Sequence, residues 1–387
     1  PPPVLLLWQS RERQTKVLSL PPIMGKTVEI FTSLCYNFSN ADRAINLKFI
    51  LEYIMKKQRL SFKKRIVAAV ILLLLIGTIY NIYDNNRFLV AEQDIFLSDL
   101  PESFDNYRIL QISDLHGKYF GEQQIELLEA INGMEYDCIL FTGDMNKYEN
   151  SDSKSSQAIL ELLNGIENKE TVFWIDGNTG PFAIEAVNGS CTGKLTDMGK
   201  TIEQAGAKVL LSPIEITKGN DSIWFVPELC QSDIQMNYLA VTEDMFETIE
   251  DYQNVISYGQ SLQKWYDLLN ENGQMKIRVN HYPIQADLTR DIWKTMGYLD
   301  YGLSIAGHYH GGQIRLPLIG ALYIPSPTSG IKNGYFPKQN EVKGLNQIVD
   351  MQQYISAGLG ASASISFLNF RLFNTPEINL ITLKCEN

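Results

Sequence analysis

The chain has 387 residues, of which 45% are hydrophobic and 20% are charged, a composition typical of a globular protein rather than a disordered or fibrous one. Its 33 lysines and arginines stand against 44 aspartates and glutamates, so the formal charge is -11. This balance argues against a nucleic-acid binder, which needs a basic surface. The five cysteines contain no C-x-x-C pair, which argues against both a cysteine zinc site and a disulfide framework.

The amino-terminal part of the chain changes character at Met55. Residues 1–54 show no sustained periodicity, and we expect them to be a non-native or disordered extension, with translation beginning at Met55. Residues 55–91 open with a run of cations that contains no acidic residue: Lys56, Lys57, Arg59, Lys63, Lys64 and Arg65. Such a run beside an apolar segment is typical of the cytoplasmic flank of a membrane span.

The apolar segment itself runs from Ile66 to Tyr83. These 18 residues approach the roughly 20 that a helix needs to cross a bilayer, and they have no polar face of the kind a buried core helix usually presents. We therefore predict a single-pass signal anchor in the cell membrane, without a signal-peptide cleavage site. The upstream cations predict that everything after Tyr83 lies on the extracytoplasmic side.

Residues 92–387 are predicted to form one domain of α/β class. Short apolar runs typical of buried strands cover Arg108–Ser113, Asp137–Thr142, Thr171–Ile175, Met275–Val279 and Gly302–Ala306. Apolar residues recur at helical spacing between the first three runs, and this β-α-β-α-β order predicts a largely parallel sheet covered by helices. Runs around Tyr354 and over 378–383 predict strands of a second sheet.

Polar residues follow these strands at the point where each strand ends. They include all four histidines of the chain and consist of Asp114, His116, Asp144, Asn178, His281, His308 and His310. In open α/β sheets, ligands bind at the carboxyl ends of the strands, where several loops converge. Each residue alone is an ordinary feature of a turn, but their ordered combination predicts a metal site.

The types of donor indicate which metals this site binds. Imidazole, carboxylate and amide oxygen suit Mn, Fe or Zn, and the set includes no thiolate that would favour structural zinc. Because the donors exceed what one ion needs, we expect two divalent metal ions that share a carboxylate. Such a pair lowers the pKa of a bound water and clamps a phosphoryl group, so the predicted reaction is phosphoester hydrolysis by a metal-bound hydroxide.

Several longer strings carry a resemblance to a known family. They are ISDLHG at 112–117, TGD at 142–144, GHYHGGQIRLP at 307–317, SAGLG at 356–360 and RLFN at 371–374. The set resembles the calcineurin-like metallophosphoesterase superfamily, in particular its membrane-associated bacterial branch, the YkuE/YaeI-like phosphoesterases. The resemblance covers residues from about 92 to 385, and it implies a two-sheet β-sandwich flanked by helices.

The resemblance also implies roles for the matching positions. Asp114, His116 and His310 would hold the first metal ion, Asn178, His281 and His308 the second, and Asp144 would bridge both. The catalytic residues would be Asp144, Asn178 and His281 of this set, together with Thr179.

One position departs from the family pattern. The family usually places a histidine after Gly-Asn, where it binds phosphate and protonates the leaving group, whereas this chain has Thr179. A positioned general acid contributes typically about 10²–10⁴ in rate, so we expect weakened leaving-group protonation. Thr179 and Tyr309, which stands between two expected ligands, are predicted to contact the substrate, and Tyr309 is expected to compensate for the missing histidine.

Two functions from different classes fit these observations. The first is a membrane-anchored hydrolase acting on a phosphodiester, pyrophosphate or phosphomonoester, and the anchor favours a lipid- or cell-wall-linked substrate. The second is a catalytically impaired relative that binds metal and phosphate. Residues 181–274 match the family least and are expected to form a substrate-selecting region.

Overall fold

A computed structural model describes most of the chain. The described residues are 62–147, 156–227, 241–284, 290–295, 299–325, 334–348, 350–362 and 369–386. The chain divides between Leu74 and Leu75 into two compact units. The expected extension over residues 1–54 lies outside the described residues, so that interpretation stays a prediction.

The described helices differ in composition and in their surroundings. They are α1 (Phe62–Asn85), α2 (Ile125–Asn132), α3 (Gln157–Gly165), α4 (Asp197–Gln204), α5 (Ile249–Glu271) and α6 (Arg290–Thr295). Helix α1 has a mean hydropathy of 2.4 over its most apolar 18 residues, and none of that window is buried. By length and composition it is a candidate membrane span, over the segment where the sequence predicts one.

The strands form two six-stranded sheets and two small hairpins. The first sheet has the order β1 (Leu89–Leu97), β16 (Glu377–Cys385), β2 (Arg108–Ile112), β3 (Cys138–Thr142), β4 (Val172–Ile175), β7 (Lys208–Val209). The second has the order β14 (Gly344–Ile348), β15 (Met351–Ile355), β11 (Leu303–Ala306), β10 (Lys276–Val279), β9 (Asp221–Pro227), β8 (Ile214–Lys218). The hairpins pair β5 (Ile184–Val187) with β6 (Ser190–Leu195), and β12 (Arg315–Leu316) with β13 (Gly320–Ala321).

The two sheets pack face to face around one apolar core. Ile109 and Phe173 from the first sheet lie in the same buried cluster as Phe225 and Ile305 from the second. The rings of Phe173 and Phe225 meet edge to face with centroids 5.7 Å apart, a favoured aromatic geometry. Helices α2, α3 and α4 cover the outer face of the first sheet, and α5 and α6 pack on the second. The expected α/β sandwich flanked by helices is therefore confirmed.

The carboxyl-terminal strand corrects one expectation from the sequence. Residues 378–383 were predicted to belong to the second sheet, but β16 lies inside the first sheet, between β1 and β2. It pairs in parallel with β1 from Leu89 to Leu97, a partner about 290 residues away in the sequence. Periodicity reports that a segment is a strand, but it carries no information about such a distant partner.

Residues 181–274 contribute strands to both sheets and are therefore not a separate insertion. This region supplies β7 to the edge of the first sheet and β8 and β9 to the second. Strand β9 pairs in parallel with β10, which leads directly to His281. A substrate-selecting role for the region stays a prediction.

Parallel pairing sets where the loops of both sheets meet. Strands β2, β3 and β4 run parallel, as do β9, β10, β11 and β15. Gln111 joins the two sheets near these strand ends, because its buried amide donates to Thr142 Oγ1 and to the carbonyl of Ala306, at 2.9 and 2.8 Å. The loops that follow the strands consequently converge at one end of the sandwich.

Candidate metal centre

The loops at these strand ends have an unusual backbone conformation. Positive φ angles occur at Asp114 (52°), His116 (49°), Asp144 (57°), His308 (69°) and His310 (50°). Such angles are uncommon for residues other than glycine, and clusters of them mark functional sites, where the surroundings hold a strained backbone in place. These five residues all belong to the set that the sequence predicts for the metal site.

The first cluster combines two carboxylates and two imidazoles. Potential ligand atoms of Asp114, His116, Asp144 and His310 all lie within 4.8 Å of one another, and all four residues are buried. The Nε2 atoms of His116 and His310 are 3.3 Å apart. The Nε2 of His310 lies 3.7 Å from Asp114 Oδ1.

The second cluster adjoins the first and contains Asp144, His281 and His308. The Nε2 of His281 lies 3.1 Å from Nδ1 of His308 and 3.0 Å from Oδ1 of Asn178. The amide oxygen of Asn178 therefore lies beside the ring nitrogen of His281 that faces His308. The structure thus brings together every ligand position expected from the sequence; their roles as ligands stay a proposal.

Asp144 belongs to both clusters. Its Oδ2 lies 3.7 Å from His116 Nε2 in the first cluster and 3.3 Å from His281 Nε2 in the second. Its Oδ1 instead accepts a hydrogen bond of 2.6 Å from the backbone N–H of Thr179. One oxygen of the carboxylate is therefore held by the backbone while the other faces both groups of imidazoles.

The donor set fits divalent cations. Pairs of imidazole nitrogens face each other at 3.1 and 3.3 Å, close to buried carboxylates. Two bare nitrogen lone pairs at such a distance repel each other unless a proton or a cation lies between them. Neutral imidazole and ionised carboxylate are also the ligand forms that Mn, Fe and Zn bind.

Burial and charge act in opposite directions on these groups. Burial opposes ionisation of Asp144, but the charges of His281 and His116 and a hydrogen bond from His281 hold its pKa far below the ordinary value. Burial likewise lowers the pKa of His281, and the facing Asp144 carboxylate outweighs it and raises this pKa to about 9. Burial, with the positive charge of His281, lowers the pKa of His308 to about 3. Without metal, the site therefore keeps a proton on His281.

Backbone carbonyls orient two of the histidines. His281 follows strand β10 of the second sheet, and His116 follows strand β2 of the first. Nδ1 of His281 lies 2.8 Å from the carbonyl of Thr142, and Nδ1 of His116 lies 3.2 Å from the carbonyl of Asn146. These contacts fix Nδ1 as the protonated nitrogen and leave Nε2 facing the site. Metal-binding histidines are commonly oriented in this way.

Close backbone packing explains two of the glycines in the motifs. A Cβ at Gly143, where φ is 88°, would lie 2.7 Å from Gly177 Cα and 2.8 Å from His281 Nδ1. A Cβ at Gly307 would lie 2.1 Å from Ser113 Oγ and 2.5 Å from Asp114 Oδ2. A larger residue at either position would displace a side chain of the site.

The hydroxyl of Thr179 is engaged by the protein itself. Its Oγ1 donates to the carbonyl of Asn146 at 3.1 Å. A hydroxyl used in this way has no second proton to offer a leaving group. The structure therefore gives Thr179 a part in holding Asp144 and the Asn146 loop, and its expected contact with substrate stays a prediction.

The two tyrosines near the site have different surroundings. Tyr309 is 6% exposed and packs in an apolar cluster with Ile324 and Val342, so its ring supports the loop of His308 and His310. Its predicted contact with substrate stays a prediction. Tyr282, which the sequence analysis did not single out, is 40% exposed. Its ring centroid lies 4.5 Å from that of His308 and 5.2 Å from that of His281.

A buried arginine supports the turn at His310 and was also missed. The guanidinium of Arg371 is 1% exposed and donates to the carbonyls of Ala357, Gly360, Asn374 and His310. The amide of Asn374 donates to the same His310 carbonyl at 2.7 Å. The string RLFN carried the resemblance, but residue type alone does not report contacts with backbone carbonyls.

Comparison with known proteins identifies the class. The family model described as "Calcineurin-like phosphoesterase" matches residues 107–312, a range that contains both clusters. The chain belongs to this family, and its buried Asp/His groups are those of a metal-binding phosphoesterase.

Two curated relatives come from Bacillus subtilis (strain 168). The chain is 25% identical over 302 residues to the "Uncharacterized metallophosphoesterase YkuE", a match that covers 77% of this chain and 86% of the relative. It is 30% identical over 109 residues to the "Uncharacterized metallophosphoesterase YkoQ", covering 28% of this chain and 36% of the relative. Among solved structures, a phosphopantetheinyl hydrolase (PptH) from Mycobacterium tuberculosis matches with 11% identity and a TM-score of 0.35, covering 65% of this chain and 89% of that one.

Proposed function

We propose that this chain is a membrane-anchored phosphoesterase that holds two divalent ions, Mn, Fe or Zn, in clusters joined by Asp144. The observation that carries this proposal is the position of Asp144 Oδ2, which lies 3.7 Å from His116 Nε2 and 3.3 Å from His281 Nε2. A single carboxylate oxygen that faces two groups of ligands is suited to bridging two metal ions.

The proposed ligands divide between the clusters. Asp114, His116 and His310 hold the first ion, Asn178, His281 and His308 hold the second, and Asp144 contacts both. When bound, the ions would supply an acidified water and positive charge for the phosphoryl oxygens. The protein itself holds the ligands in place through the carbonyls of Thr142 and Asn146 and the N–H of Thr179.

The proposed reaction is hydrolysis of a phosphodiester, pyrophosphate or phosphomonoester. Protonation of the leaving group is its weak point, because Thr179 directs its hydroxyl to the carbonyl of Asn146. Esters whose leaving group is stable without a proton should therefore react best. Alkyl esters, which need the proton, should react more slowly.

The proposed anchor is α1, with the catalytic domain on the extracytoplasmic side of the cell membrane. The support is its 18-residue window of mean hydropathy 2.4 and the cations that precede it in the sequence. A protease added to sealed vesicles of known orientation tests the side. Digestion of the domain from the cytoplasmic face would contradict the proposed sidedness.

A catalytically impaired relative is the second candidate. The observation that favours it is the hydrogen bond of Thr179 to Asn146, because the family's histidine is missing and its replacement is already engaged. In this case the protein would bind metal and phosphate without turnover. Retention of Asp144 between the clusters favours the enzyme.

Hydrolysis of an aryl phosphodiester by the full chain, in detergent with added manganese, distinguishes the two. An aryl leaving group is stable without protonation, so the assay reports on the metal centre separately from the missing acid. Asp144→Asn is the inactive reference, and Asp94→Asn, an exposed position on β1, is the matched control.

The enzymatic function predicts activity in the parent chain and in Asp94→Asn, and loss of activity in Asp144→Asn. Metal-loaded parent protein without activity would support the binding function instead. Equal activity in parent and Asp144→Asn would show that the hydrolysis does not arise at this site.

A further inference from the structure

An exposed apolar hairpin lies directly after the metal-binding motif. Residues 313–324 contain one charged residue, Arg315, and strands β12 and β13 fold them back on themselves. At the tip, Leu318 is fully exposed at 108% and Ile319 is 53% exposed. Leu318 has a φ of 68°, a conformation for which turns usually employ Gly, Asn or Asp. Bulky aliphatic side chains at such a tip are unfavourable in water.

Neighbouring segments extend this hairpin into an apolar patch. Four short segments lie side by side through backbone pairing. Ile314 pairs with Leu372 on one side and with Leu322 on the other, and Leu322 in turn pairs with Phe336. Exposed apolar or aromatic side chains on these segments and on the tip define the patch as Leu318, Ile319, Tyr323, Tyr335, Phe336 and Phe373. A group of exposed apolar side chains on neighbouring segments is typical of an interaction site.

The patch is connected to the end of helix α1. The ring of Phe373 stacks on Tyr80 with centroids 6.2 Å apart. Asn85 Oδ1 accepts from the N–H of Arg371 at 2.8 Å, and its Nδ2 donates to the Arg371 carbonyl at 2.7 Å. Buried Asp84 accepts from Thr375 Oγ1. These contacts hold the patch beside the point where the candidate span ends.

We propose that this patch docks on the surface of the bilayer that α1 crosses, with the Leu318–Ile319 tip inserted among the lipids. The inference rests on the proposed anchor and deepens it. Aliphatic side chains at the tip and tyrosines behind it match the order of environments at a membrane interface. The occupant is a lipid surface because Phe373 of the patch stacks on Tyr80, near the end of the candidate span.

The patch is linked to the metal centre through the loop of residues 371–374. Arg371 and Asn374, on either side of Phe373 in sequence, both donate to the carbonyl of His310, at 3.2 and 2.7 Å. The loop that carries the patch residue is therefore the loop that holds a proposed metal ligand. The substrate class that follows is a phosphoester whose other end is embedded in the membrane.

Depth-dependent fluorescence quenching tests the docking. The full chain is placed in phosphatidylcholine vesicles that contain a lipid-borne quencher, with a fluorophore attached through Leu318→Cys. The labelled parent chain, which has five cysteines, sets the background. Ile249→Cys, at an exposed residue of the domain, is the matched control, and Leu73→Cys reports on the span.

If the patch docks on the bilayer, the lipid-borne quencher reduces the fluorescence of labels at positions 318 and 73 and has little effect on the label at position 249. Quenching at 73 with none at 318 would overturn the docking and leave the anchor intact, whereas no quenching at 73 would overturn the anchor itself. Energy transfer between labelled copies, with no quenching at 318, would show that a second copy covers the patch instead.

Activity provides the second readout. Leu318→Asp combined with Ile319→Asp removes the apolar tip with residues that accept the turn conformation. We expect about a hundredfold loss in turnover of a membrane-embedded phosphodiester, because transfer of two aliphatic side chains into lipid is lost. Turnover of a soluble aryl diester should not change. An equal loss on both substrates, or on neither, would contradict the proposal.

Discussion

At the scale of single residues, Thr179 donates its hydroxyl proton to the carbonyl of Asn146, so we expect Tyr282 to be the side chain that contacts the leaving group. This tyrosine is partly exposed beside His281 and His308, and burial together with the Asp144 charge raises its pKa. Its hydroxyl therefore keeps its proton and can donate a hydrogen bond to a phosphoryl or leaving oxygen. Tyr309, by contrast, is packed among apolar side chains.

We expect Tyr282→Phe to slow hydrolysis of alkyl phosphoesters by roughly tenfold, the effect of one lost hydrogen bond to a charged group. Aryl esters should be affected less. Tyr309→Phe is the matched control and should keep most of the activity on both substrates. The reverse result, with the loss confined to Tyr309→Phe, would restore the substrate contact expected from the sequence.

The proton on His281 predicts a pH dependence of metal binding. Its pKa in the metal-free protein is raised to about 9, because the facing Asp144 carboxylate outweighs burial. A metal ion must displace this proton, so apparent affinity should rise with pH, about tenfold per unit, and level off near pH 9. Manganese titrations by calorimetry in buffers of different ionisation enthalpy measure the released proton. Affinity independent of pH below 9 would contradict this assignment.

Residue types alone predicted the ligands but not their supports. Asp114, His281 and the other candidate ligands could be recognised because metal chemistry requires particular side chains at strand ends. Their supports use the backbone instead. The carbonyls of Asn146 and Thr142 orient His116 and His281, and Arg371 donates to the carbonyl of His310. Any residue supplies a carbonyl, so the sequence holds no signal for the first two.

At the scale of elements, Arg371 connects the carboxyl-terminal loop to the turn at His310. Four backbone carbonyls accept from its buried guanidinium, and burial lowers its pKa to about 10. A lysine keeps the charge but lacks the planar fork that reaches these carbonyls together. The arginine is therefore a positioning residue for His310.

We expect Arg371→Lys to weaken metal binding by about 10–100-fold, as supports of metal ligands commonly do. Arg108→Lys, which changes an arginine paired with the exposed Glu135, is the matched control. Metal affinity is measured beside the melting temperature of the metal-free protein. A lower melting temperature with unchanged metal affinity would show that Arg371 is structural only.

The strands that carry the ligands were predictable because buried parallel strands are continuous apolar runs. Strands β3 and β4 are buried along their whole length. Strand β1 was missed because LVAEQDIFL mixes charged and apolar residues at the edge of the sheet. The placement of β16 was wrong because its partner β1 is remote in sequence.

At the scale of the whole molecule, a calcineurin-like phosphoesterase domain follows a candidate membrane span in the sequence. The family and the fold follow from the match over residues 107–312 and from the two packed sheets. The anchor and the docked patch are proposals that explain why an apolar hairpin follows the metal-binding motif. If both hold, the enzyme acts on phosphoesters at the membrane surface.

The central claim is that Asp144 joins two metal ions, and electron paramagnetic resonance of the manganese-loaded chain tests it most directly. Two Mn(II) ions that share a carboxylate are magnetically coupled, and their spectrum differs from that of isolated ions. We expect two ions per chain with a coupled spectrum, loss of the coupling in Asp144→Asn, and an unchanged coupled spectrum in Asp94→Asn. One ion per chain, or two uncoupled ions in the parent protein, would contradict the account.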